Sequence, residues 1–126
     1  MKVLFAVAVG GAAGAVARYL VMSAIGAVLG SGFPYATLTV NVVGSFILGL
    51  ILETSALVWS PGEALRAFLV VGVLGAFTTF STFSLDVAVL YERGAFAALA
   101  AYIVLSVSVS IAALFAGLAV VRAIAA

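Results

Sequence analysis

Apolar residues fill the chain in four long runs separated by short polar or Gly/Pro-marked turns. The runs cover residues 3–29, 35–59, 63–91 and 95–121, approximately. Gly30-Ser31-Gly32-Phe33-Pro34, Ser60-Pro61-Gly62 and Glu92-Arg93-Gly94 punctuate them, with Pro61 placed to open the helix that follows. Each run reaches the ~20 apolar residues a helix needs to cross a bilayer, where every backbone group must find its partner within the segment. The pattern predicts an all-α membrane protein with four transmembrane helices, in which residues 1–126 form a single four-span membrane domain.

Composition agrees. Hydrophobic residues make up 67% of the 126 residues and charged ones 7%, with a mean hydropathy of +1.47. So few charges do not clothe a soluble domain of this size. A net charge of +1 gives no basic surface for nucleic acid. The absence of cysteine and histidine removes disulfides, thiolate metal sites and imidazole acid–base chemistry. The first run, behind Lys2, is too long for a signal peptide and carries Arg18 in its interior, so it is read as a retained span. Four spans place both termini on one side. Lys2, Arg66 and Arg122 fall on that side, Arg93 falls on the other, and Arg18 lies within the first span toward it. So small a bias permits insertion in both orientations, and equally suits a fixed one with the termini inside.

Chemistry concentrates in the third run. Of the ten residues Gly75-Ala76-Phe77-Thr78-Thr79-Phe80-Ser81-Thr82-Phe83-Ser84, five carry hydroxyls. That density beside a glycine predicts a helix broken mid-membrane, which lipid tolerates only where the irregular backbone is buried in protein or lines a filled space. Phe80 and Phe83 share a helix face; their rings serve either as bulk or as electropositive edges toward an anion. Thr37, Asn41 and Ser45 form an i, i+4, i+8 stripe in the second run, and Tyr102, Ser106 and Ser110 repeat it in the fourth. Two stripes of neutral donors suit a track for a small hydrogen-bond acceptor. Arg18 must snorkel or face a polar vestibule. Asp86 is placed either to pair with Arg18 or to cap a neighbouring helix, and Glu53 to lie at the interface. Small residues at Gly10-Gly11-x-x-Gly14, Gly44-Ser45-x-x-x-Gly49 and Gly72-x-x-Gly75 allow close helix packing. No titratable group lies at the midplane, and there is no nucleotide loop, catalytic dyad or metal-ligand cluster, so passive conduction is favoured over pumping or catalysis.

The motifs Gly10-Gly11-x-x-Gly14-Ala15-x-x-Arg18-Tyr19, Thr37-Leu38-x-Val40-Asn41-x-x-Gly44-Ser45-Phe46-x-x-Gly49 and Gly72-x-x-Gly75-x-x-Thr78-Thr79-Phe80-Ser81-Thr82-Phe83-Ser84 resemble the Fluc (CrcB-type) fluoride channels of microbes over the whole chain. Ala76 departs from the pattern, standing where many relatives have a second glycine. The resemblance implies an antiparallel dual-topology homodimer in the prokaryotic inner membrane, with two pores that passively export cytoplasmic fluoride. It implies a fluoride pathway of Asn41, Phe80 and Phe83 with hydroxyls from Ser81, Thr82, Ser84, Thr37, Tyr102, Ser106 and Ser110, and a vestibule shaped by Arg18. It further implies a structural sodium ion at the dimer interface, held by the backbone carbonyls of Gly75 and Thr78. A small dual-topology multidrug exporter would require a membrane-embedded glutamate in the first span, where this chain has Arg18. A non-transporting assembly subunit would leave the hydroxyl-rich run unexplained.

Overall fold

The computed structural model describes residues 1–126 and is entirely helical. Helix α1 spans Lys2–Leu29 and α2 spans Tyr35–Leu57. A third rod, Glu63–Glu92, is composite: α3 (Glu63–Arg66), a π-helical segment (Ala67–Leu74), α4 (Gly75–Phe77) and α5 (Phe80–Glu92). Helix α6 runs Phe96–Ala125, so Arg122 lies within its last turn. Four helical rods, Lys2–Leu29, Tyr35–Leu57, Glu63–Glu92 and Phe96–Ala125, are therefore long and apolar enough to cross a membrane.

The turns between rods use glycine where the backbone demands it. Gly30 closes α1 with φ of 75°, and Gly94 follows α5 with φ of 69°, conformations that a Cβ disfavours. The two turns meet, because Arg93 Nη2 donates to the Gly32 carbonyl at 2.7 Å.

Packing follows small residues. Helix α2 lies along α6, and α1 lies along the π segment and α4. A Cβ on Gly49 would collide with the Leu114 carbonyl, and one on Gly117 with the Phe46 carbonyl, so α2 and α6 touch backbone to backbone. Gly10 and Gly14 bring α1 equally close to the carbonyls of Phe68 and Val73. Close approach of this kind replaces the hydrophobic drive that lipid does not supply between helices. Only 15 of 126 residues are buried, which leaves most apolar side chains, including Phe5, Leu20 and Phe115, facing outward. That distribution suits a chain solvated by lipid rather than water.

At the end of α2, Glu53 is 9% exposed and accepts from Arg122 Nε at 2.8 Å. The pair meets the cost of a buried carboxylate with a charge-assisted hydrogen bond between the rods that also share the Gly49–Gly117 contact.

Candidate functional site

Thr78 (φ −89°, ψ 157°) and Thr79 (φ −153°, ψ 119°) are extended, between α4, which ends at Phe77, and α5, which starts at Phe80. Eight π-helical residues, Ala67–Leu74, precede α4, an uncommon length for a conformation that occurs mostly as single-turn bulges and frequently at functional sites.

An extended pair inside a rod leaves backbone groups without helical partners, and side chains supply replacements. The Asn41 amide pairs with Thr79 on both sides: Nδ2 donates to the Thr79 carbonyl at 3.0 Å and Oδ1 accepts from the Thr79 N–H at 2.8 Å. The carboxamide thus imitates a peptide group. Thr79 Oγ1 caps α5 by accepting from the Thr82 N–H at 3.1 Å, and it lies 3.2 Å from both Ser81 Oγ and Thr82 Oγ1. Thr78 Oγ1 donates back to the Leu74 carbonyl at 2.9 Å, and Arg18 Nε donates to the Ala76 carbonyl at 3.0 Å.

A groove of about 440 Å³ opens beside the extended pair. Asn41, Gly44 and Ser45 of α2, Gly75 of α4, Thr78, Thr79, Phe80 and Phe83 of the third rod, and Ser106 and Ser110 of α6 line it, with Leu48, Val70, Leu74, Val107 and Ile111 as apolar walls. No ionisable side chain is among them. The Ser106 and Ser110 hydroxyls are buried and have no hydrogen-bond partner, so each retains a donor and lone pairs for an occupant of the groove. Phe80 and Phe83 pack with their rings tilted by 45° and centroids 5.3 Å apart, Phe80 being 76% exposed and Phe83 buried against Tyr102.

The remaining candidates stand away from the groove lining. Thr37 and Tyr102 are buried, and the Tyr102 hydroxyl donates to Asp86 Oδ2 at 2.9 Å. Asp86 therefore bonds neither Arg18 nor a helix end. Tyr102 also packs edge-on to Phe33, which joins the α1–α2 turn to the core around Phe83 and Leu90. The Ser84 hydroxyl is spent on the Phe80 carbonyl at 3.1 Å, as serines in helices often are. Ser81 and Thr82 sit in the first turn of α5 and reach the Thr79 hydroxyl. Thr79 itself was missing from the sequence-derived set. Its signal was the Thr79-x-x-Thr82 spacing, in which a hydroxyl can serve an N–H three residues on.

Residues 5–118 match the family described as CrcB-like protein, Camphor Resistance (CrcB). The chain is 58% identical over 122 residues to the fluoride-specific ion channel FluC of Rhodospirillum centenum, covering 97% of each chain. It is 52% identical over 121 residues to that of Nitrobacter winogradskyi, covering 96% of each. With the fluoride-specific ion channel FluC of Agrobacterium fabrum it shares 54% identity over 116 residues, covering 92% of this chain and 93% of the relative. At such identity and coverage, the chain belongs to the CrcB family.

Proposed function

We propose that this chain is a passive fluoride-selective channel of the bacterial inner membrane, not an enzyme, and that it lets cytoplasmic fluoride leave and so relieves its toxicity. The observation that carries the reading is the uncharged groove at Thr78–Thr79, where an amide and two partnerless serine hydroxyls face one space bounded by phenylalanine rings. A small anion of high charge density gains most from neutral donors and electropositive ring edges, and loses most to a nearby carboxylate. Hydrogen fluoride crosses membranes uncharged and ionises in a less acidic cytoplasm. A passive anion path then lets the membrane potential drive fluoride out.

Asn41 retains one amide hydrogen beyond the one given to Thr79, and that hydrogen is the donor we assign to fluoride. Phe80 and Phe83 would present ring edges, Ser106 and Ser110 would extend the track, and Thr37, Tyr102, Ser81, Thr82 and Ser84 would lie along or behind it. Arg18 would border the entrance.

The working unit would be an antiparallel dual-topology homodimer with two pores. Phe80 is 76% exposed beside the groove, and a Cβ on Gly75 would meet nothing nearer than the Val70 carbonyl at 3.6 Å. Packing within one chain thus gives no reason for glycine at 75, and a second copy across the groove would. Tags on both termini should be found on both faces of the membrane.

The third rod would be functionally broken at Thr78–Thr79, with a sodium ion held there by the Gly75 and Thr78 carbonyls of both copies. No group of three or more acidic, histidine or cysteine side chains that could hold a metal is present, so such a site would rest on backbone oxygens. The fit is favourable, because the N–H groups that would serve these carbonyls in an α-helix are turned elsewhere. The Thr79 N–H goes to Asn41 and the Thr82 N–H to the Thr79 hydroxyl. When bound, sodium would supply positive charge that holds these oxygens together.

Fluoride-loaded liposomes test the function. The reconstituted protein should discharge fluoride once a potassium ionophore balances charge, with no proton gradient or nucleotide supplied. Strict dependence on a pH gradient would replace the channel with a coupled transporter.

A further inference from the structure

Gly10, Gly14 and Arg18 follow one another at four-residue intervals and lie on one face of α1. The two glycines press against the Phe68 and Val73 carbonyls of the third rod, and a Cβ on Gly72 would lie 2.9 Å from the Gly10 Cα. With the backbones in contact there, the third member of the row reaches the next exposed carbonyl: Arg18 Nε donates to Ala76 O at 3.0 Å. In a continuous helix Ala76 O would accept from the Phe80 N–H, four residues on. With Thr78 and Thr79 extended, Phe80 instead opens α5.

We propose that Arg18 is a positioning residue, whose Nε–H replaces the lost helical donor at Ala76 and fixes the Gly75–Phe77 turn against the groove. The guanidinium also stands at the carbonyl end of the rod's first half, where a cation is favoured. Gly75, next to the capped residue, lines the groove, so a turn released at Ala76 shifts the groove wall. This role uses the direction of one N–H, whereas an entrance residue uses only charge. Lysine separates the two: it keeps the charge and loses the planar donor held midway along the side chain.

The test compares R18K with wild type in fluoride-loaded liposomes, per assembled dimer and at several ionic strengths. Positioning predicts a flux loss of about 10-fold or more, the scale of a hydrogen bond to a charged group, with the ionic-strength dependence unchanged. R18K flux within about twofold of wild type would overturn it. A second arm stands apart from the channel reading, and decides the matter if R18K fails to fold or wild type fails to conduct. In wild-type protein labelled at arginine Nε with ¹⁵N, the Arg18 signal is identified by removing the other arginines one at a time. It should be protected from solvent exchange, and rapid exchange would contradict the hydrogen bond.

Discussion

The α2–α6 pair and the middle of the third rod lie within one groove's width of each other, yet they are held by opposite means. Between α2 and α6, two unbroken helices meet at Gly49 and Gly117, where the absence of side chains lets the backbones touch, and one ion pair, Arg122 with Glu53, fastens their ends. Around Thr78–Thr79 the backbone abandons helical geometry, and what secures it is polar side chains reaching from elsewhere: Asn41 from α2, Arg18 from α1 and the Thr79 hydroxyl from within. In lipid, backbone that satisfies itself needs only room to approach a neighbour. Backbone that does not satisfy itself needs a donor or acceptor brought to it. The first region is built for adhesion, and the second keeps polar groups beside a groove.

The largest effects should come from filling the close contacts. Gly14→Val and Gly49→Val each drive a branched side chain into a carbonyl oxygen of the facing rod, and should abolish assembled protein on size-exclusion chromatography. Gly11→Ala and Gly26→Ala, where an added Cβ meets nothing within 4 Å, should stay within about 0.5 kcal/mol of wild type. Equal damage at all four sites would mean that glycine serves flexibility here rather than contact.

Next in size is Asn41. Asn41→Asp keeps the acceptor for the Thr79 N–H but sets a carboxylate oxygen against the Thr79 carbonyl, and it removes the donor assigned to fluoride. Fluoride flux should vanish, and thermal unfolding should report a stability loss of about 1–3 kcal/mol, the usual cost of a buried polar group left unpaired. Reading Asn41 only as a pore donor would leave stability intact, so the melting curve separates a shared role from a purely conductive one.

Thr79→Ala removes the cap on α5 and should cost about 1 kcal/mol, whereas Thr79→Ser restores most of it. The two phenylalanines should then split. Phe80→Ile, at a position 76% exposed, should leave melting unchanged while strongly reducing flux per reconstituted protein. Phe83→Ile, buried against Tyr102, should reduce flux and also cost up to about 1.5 kcal/mol. If both variants conduct as wild type does, ring edges play no part.

The four membrane-crossing rods were legible because apolar run length and Gly/Pro punctuation are local signals. Individual site residues were legible only by type. Equal spacing put Tyr102 in one stripe with Ser106 and Ser110, but Tyr102 is drawn into the core by Phe33, Phe83 and Asp86, contacts that spacing does not encode. Asn41 stood out as an amide in an apolar run, yet its partner lies 38 residues away and is a backbone group, which a sequence never displays. The π segment was invisible. Its residues, Ala67 to Leu74, are uniformly apolar, and nothing in AFLVVGVL distinguishes one helical pitch from another.

Conduction by fluoride itself is the claim on which the account turns, and a reversal potential tests it most directly. Purified protein in a planar bilayer, with a tenfold fluoride gradient, symmetrical pH and a large impermeant anion balancing charge, should reverse near the fluoride equilibrium potential, about 59 mV from zero. Replacing fluoride by chloride on one side should leave that side electrically silent. A reversal near zero, a reversal that follows chloride, or one that moves with an imposed pH gradient at fixed fluoride would contradict the account.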